Sequence, residues 1–145
     1  MSEYKKVLVA VDTSAESDHV VSRALEIIDG NVDVLSLMHV VEPVAAAYPI
    51  DAYAINMARL QEEALDIARQ RLEEIAGRFK IPSERQLIEV GPAAARIRET
   101  AEEHGFDLIV IGSHGTSGWK LLLGSTANKV LHGAKCDILT VRVGN

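Results

Sequence analysis

"FDLIVIGSHGTSGWKLLLGST" runs from Phe106 to Thr126. Its uncharged aliphatic run, Leu108 to Ile111, reads as a strand buried on both faces. Glycines follow at 112, 115 and 118, spaced by three. Gly124-Ser125-Thr126 then leads into "STANKVLHGA", a short helix. Glycines in such numbers let a backbone bend sharply or approach something closely.

Outward from this stretch the same alternation repeats. Downstream, "CDILTVRV" is a last strand. Upstream, "KVLVAVD" is a buried strand ending at Asp12. Thr13 and Glu16 form a capping box for the next helix, with Ser14 a rival N-cap. That helix puts Val21, Ala24, Leu25 and Ile28 on one face and ends at Asp29-Gly30-Asn31. "VDVLSLMHVVE" is a second strand, followed by a proline-interrupted connection over residues 42–53. A long helix is expected from Tyr53 to Phe79. Its apolar stripe is Leu60, Ala64, Ile67, Ala68, Leu72, Ile75 and Phe79, and its Arg69–Arg71 cluster reads as a solvated face. "RQLIEVG" is a third strand. Gly91-Pro92 turns into the helix "AAARIRETAEEHG", stopped by Gly105. The order β-α-β-α-β-α-β-α-β, with aliphatic rather than alternating strands, predicts a doubly wound parallel sheet with helices on both faces.

The chain of 145 residues fits one domain, residues 1–145. It carries 15 basic and 21 acidic residues, a formal net charge of −6. That argues against a duplex nucleic acid partner, but not against an anionic small ligand bound by backbone amides. Cys136 is the one cysteine, which fits a reducing compartment, and it reads as a buried filler. The apolar run before Asp12 is too short for a signal peptide. No stretch has the apolar length of a membrane span, so no membrane insertion and a cytoplasmic location are expected.

Ligands of open parallel sheets bind beyond the carboxyl ends of the strands. Two loops have suitable chemistry there: Asp12-Thr13-Ser14, and Gly112 to Thr126. Gly112 and Gly115 can turn amides toward a ligand. Gly124, Ser125 and Thr126 offer free N–H groups, hydroxyls and a helix dipole to a phosphate. Asp12 can accept from a ribose hydroxyl or hold a metal through water. Against this stands the plain alternative of a long glycine-rich surface loop. Ser113 beside His114 has no orienting carboxylate and makes a poor nucleophile–base pair. His19, His39, His104 and His132 lack metal-ligand spacing and read as surface or strand-end histidines.

"KVLVAVDTSAES", "LMHVVEP", "DLIVIGSHG" and "LLLGSTANKVLHGAKCDILTVRV", in this order, resemble the universal stress protein family over nearly the whole chain. The resemblance implies a Rossmann-like, adenine nucleotide alpha hydrolase-like sheet of five parallel strands in order 3-2-1-4-5. It also implies ATP, with Mg2+, bound through a pattern G-x2-G-x9-G-[ST]. Gly112 and Gly115 match its first glycines, and Gly124-Ser125 its closing pair. Residues 116–123 make the spacer one shorter than the pattern. Asp12, preceded by Val11, matches the acidic residue after strand one. Val40 matches the position whose backbone contacts adenine, and Ser113, His114 and Thr126 fall in the phosphate-facing stretch. Related enzymes of similar fold carry S-G-G-x-D-S or H-x-G-H, and "VAVDTSAES" has neither. The expected function is an ATP-binding stress-response regulator whose nucleotide state is read by an unidentified protein partner. The alternatives are a dimeric interaction module without nucleotide and a slow ATPase. Residues 137–143 end the chain as an aliphatic edge strand, from which a homodimer is expected, centred on Val141.

Overall fold

A computed structural model describes residues 3–43, 54–113, 129–130 and 132–143. Five strands form one parallel sheet: β1 (Val7–Ala10), β2 (Leu35–Val41), β3 (Gln86–Val90), β4 (Leu108–Gly112) and β5 (Asp137–Val141), in the order β3-β2-β1-β4-β5. Val7 pairs with Leu35 on one side and with Leu108 on the other, so β1 is the central strand. This is the expected order 3-2-1-4-5. The helices are α1 (Ser17–Ile27), α2 (Ala54–Phe79) and α3 (Ala93–His104), and residues 129–130 and 132–133 are also helical.

The aliphatic strands follow from burial on both faces. Val7, Val9 and Val11 pack with α1 and α2, through Val21, Ala24, Leu72 and Ile75. Leu8 and Ala10 point the other way, to Ile97 and Ala101 of α3 and to Val130. Alternate residues of one strand thus serve two cores, so neither face can be polar.

The start of α1 differs from the capping box. The helix begins at Ser17, and Glu16, at the N-cap, makes no side-chain capping bond. The reason lies in the preceding loop. Oδ1 of Asp12 accepts from the Ser14 amide at 3.0 Å and from the Ser17 hydroxyl at 3.4 Å. Thr13 between them takes a φ of +61°. Ser14 supports the first turn instead: its carbonyl accepts from the Ser17 amide at 3.1 Å and its hydroxyl from the Glu16 amide at 3.3 Å. A turn tied to a carboxylate has displaced a box tied to Thr13. By contrast, α3 ends as expected, with Gly105 left-handed at φ +71°.

Only the C-terminal half of the α2 stripe is core. Ala68, Leu72 and Ile75 are buried, whereas Leu60 is 44% and Ile67 50% exposed. A helix of 26 residues is about 39 Å long. The seven residues of β2 span only about 23 Å, so α2 overhangs the sheet. Cys136 is also less buried than expected: it is half-buried, and burial raises its thiol pKa.

At the β5 edge, the Val141 carbonyl accepts from the Ser113 amide at 2.7 Å. The N–H and C=O of one strand residue point to the same side, so the Val141 main chain faces β4. The groups facing outward belong to Ile138, Thr140 and Arg142. Thr140, not Val141, is the centre of the free edge.

Candidate functional site

The carboxyl ends of β1 and β2, with one face of α2, enclose a cavity of about 430 Å3. Asp12, Thr13, His39, Val40, Val41 and Glu42 line it from the sheet side, and Ala64, Ile67, Ala68 and Arg71 from α2. The α2 spacing of three and four puts these four residues on one face. Its volume falls within the ordinary range of small-molecule sites.

The loop after β1 is held from below. The Val11 amide donates to the Met38 carbonyl at 2.9 Å, which extends the β1–β2 ladder past Ala10. His39 Nδ1 lies 2.7 Å from the Val11 carbonyl. The carbonyl can only accept, so Nδ1 carries the proton and donates. Burial is the main reason that the His39 pKa is lowered, and the Arg71 charge adds to it. The Val11 bond and Asp12 work the other way. Imidazole is therefore the form favoured at neutral pH.

Of the expected site residues, Asp12 and Val40 line this cavity. The Val40 side chain belongs to the core on the α3 side, so its main chain is what it offers to the cavity. Val11 and Gly112 line a narrow cleft beside it, together with Asp12 and Ser17. Strands β1 and β4 are neighbours, so Asp12 and Gly112 share one sheet edge as expected. The Ser113 hydroxyl accepts from the Val143 amide at 3.4 Å, which ties it to the chain after β5. His114, Gly115, Gly124, Ser125 and Thr126 lie outside the described residues.

His39 and Arg71 were not expected in the site. Of the two places expected for His39, surface or strand end, it takes the second: it lies near the carboxyl end of β2, half-buried at the cavity wall. A titratable side chain in the otherwise uncharged "LSLMHVV" is the available signal. Arg71 was assigned to a solvated face. Arg69 does lie there, 3.3 Å from Asp66, but Arg71 turns to the cavity. Its helical spacing from Ala64 and Ala68 was the signal. Among the described residues no group of three or more His, Cys, Asp or Glu side chains could hold a metal ion. No helix among them is long and apolar enough to cross a membrane.

Comparison with known proteins follows the same lines. Residues 3–142 match the universal stress protein family. The chain is 44% identical to universal stress protein A homolog 2 of Coxiella burnetii (strain RSA 493 / Nine Mile phase I), covering 99% of this chain and 98% of that protein. It is 32% identical to universal stress protein G of Escherichia coli O157:H7, over 96% and 99% of the two chains. Among solved structures, universal stress protein UspA from Lactobacillus plantarum matches with a TM-score of 0.70 at 27% identity, over 98% of this chain and 100% of that one. A universal stress protein in complex with cAMP matches with a TM-score of 0.68 at 25% identity, over 99% and 100%. From its central β1 to its edge strand β5, this chain belongs to the universal stress protein family.

Proposed function

We propose that the protein is an ATP-binding regulator of the stress response whose nucleotide state is read by a protein partner. The observation that carries this is the 430 Å3 cavity against the ends of β1 and β2, with Asp12 and the Val40 main chain in its wall. A slot between aliphatic residues suits a base, and a carboxylate beside it suits a ribose hydroxyl. The cAMP complex of a related protein supports an adenine nucleotide here. Gly112, with His114, Gly115, Gly124, Ser125 and Thr126, is proposed to receive the phosphates through backbone amides, with Ser113 beside them, its own amide committed to Val141. Asp12 is the carboxylate that would hold Mg2+ through water, and the metal, when bound, would supply positive charge to offset the phosphates. The single cysteine, which fits a reducing compartment, supports a cytoplasmic site of action.

Mass spectrometry of the freshly purified, denatured protein should reveal ATP or ADP. Added ATP with magnesium should stabilise the fold by about 2.7 kcal/mol at a hundredfold excess over its dissociation constant. Neither co-purified nucleotide nor a thermal shift at millimolar ATP would leave the dimeric interaction module as the better reading. Phosphate release, followed in the same samples, tests for slow hydrolysis. The outward-facing main chain of β5 supports a homodimer by antiparallel pairing with a second copy.

A further inference from the structure

Among the described lining residues the one ring is the His39 imidazole, whose Nδ1 is committed to the Val11 carbonyl at 2.7 Å, and no Phe, Tyr or Trp is there to cover a base. Its charged groups are Asp12, Glu42 and Arg71. Arg78, seven residues along α2, is held bidentately by Asp18 at 2.8 Å for both contacts. Arg71 has no such carboxylate: among the described residues it forms no hydrogen bond or ion pair. Among the described residues its planar cation therefore stands beside the cavity without a hydrogen-bonded or ion-pair partner, with Ala64, Ile67 and Ala68 continuing the same wall.

We propose that Arg71 is a specificity residue of this cavity, its guanidinium lying against the face of the nucleobase. This rests on the nucleotide reading above and says which part of the ligand Arg71 meets. Phosphates are disfavoured beside Arg71 because the Glu42 carboxylate lines the same cavity. The proposed phosphate seat begins at the end of β4, two strands from β2. That is about 10 Å away at the usual strand spacing. The part of the ligand that remains beside β2 and α2 is the base. Guanidinium stacks on π-faces through its plane as well as its charge, which an ammonium cannot reproduce.

The test is calorimetric titration of the wild type, Arg71→Met and Arg71→Lys with ATP and, separately, with adenosine. Arg71 is exposed on α2, and thermal melts should show both variants folded like the wild type. The expected result is that both substitutions weaken ATP and adenosine by the same factor, about 5- to 30-fold. Arg71→Lys retaining wild-type affinity, or a loss seen with ATP but not adenosine, would mean that Arg71 reads phosphate charge, and would overturn the proposal. Wild-type affinity in Arg71→Met overturns it equally and leaves the nucleotide reading intact. A wild type that binds neither compound would remove the nucleotide reading itself.

Discussion

Replacing Asp12 by Ala should destabilise the fold before any ligand is considered. The carboxylate is only 8% exposed, and its Oδ1 accepts from the Ser14 amide and the Ser17 hydroxyl. Ser17 is itself 1% exposed, so its hydroxyl has no access to replacement water. Removing the acceptor leaves one buried donor and one half-buried donor unsatisfied. Bonds to a charged acceptor contribute about 1.5–3 kcal/mol. The 3.4 Å contact is long and the Ser14 amide is partly solvated, so the lower part of that range applies, about 2 kcal/mol in total. At roughly 2–4 °C per kcal/mol for a chain of this size, the melting temperature should fall by about 4–8 °C. Asp12→Asn keeps an oxygen acceptor and should lose about 1 kcal/mol or less. Urea unfolding monitored by far-UV circular dichroism, with m unchanged, is the assay. An Asp12→Ala midpoint equal to that of the wild type would contradict the claim that this carboxylate organises the β1–α1 turn. Asp12→Asn then separates fold from function: near-native stability with weakened ATP binding would assign the charge to the ligand.

The lowered pKa of His39 has a pH consequence of definite sign. The unfolded state binds this proton more readily, so stability should decline as pH falls below about 6.5 towards the folded value, and His39→Gln should flatten that part of the profile in urea titrations. Gly105→Ala should cost about 1 kcal/mol by chevron or equilibrium unfolding, because φ is +71° although a Cβ would meet nothing within 4 Å. An unchanged midpoint would show that the helix end can relax. Thr140→Pro should give monomers or aggregates by analytical ultracentrifugation at micromolar concentration, where the wild type should sediment as a dimer. A wild-type monomer would remove the β5 interface.

The sheet was legible because its inner strands β1, β2 and β4 are buried on both faces, and this leaves runs such as Val7 to Val11 with no polar position. The glycine after α3 was legible because a left-handed cap excludes most other residues. What could not be read were features set by distant contacts. The α1 start depends on where the Asp12 carboxylate points, and the pattern Thr-x-x-Glu is silent about that. The α2 stripe continues at Leu60 past the sheet that would cover it, and Ile67 opens onto the cavity, so both keep the period but not the burial. His39 and Arg71 lie 32 residues apart and meet at one cavity because α2 returns across β2, a juxtaposition that exists only once the chain has folded.

The place of β1 at the centre of the sheet also matters during synthesis. Its β2 partner follows within about 30 residues, but Leu108, which pairs with Val7, is about 100 residues further along the chain. At ribosomal rates of roughly 5–20 residues per second, about 5–20 s pass before β4 can emerge. Throughout that interval one side of the central strand has unpaired amides and carbonyls between two apolar faces. A nascent chain in that state should be a substrate for chaperones that hold aliphatic segments, and slowing translation before residue 108 should lengthen its stay on them.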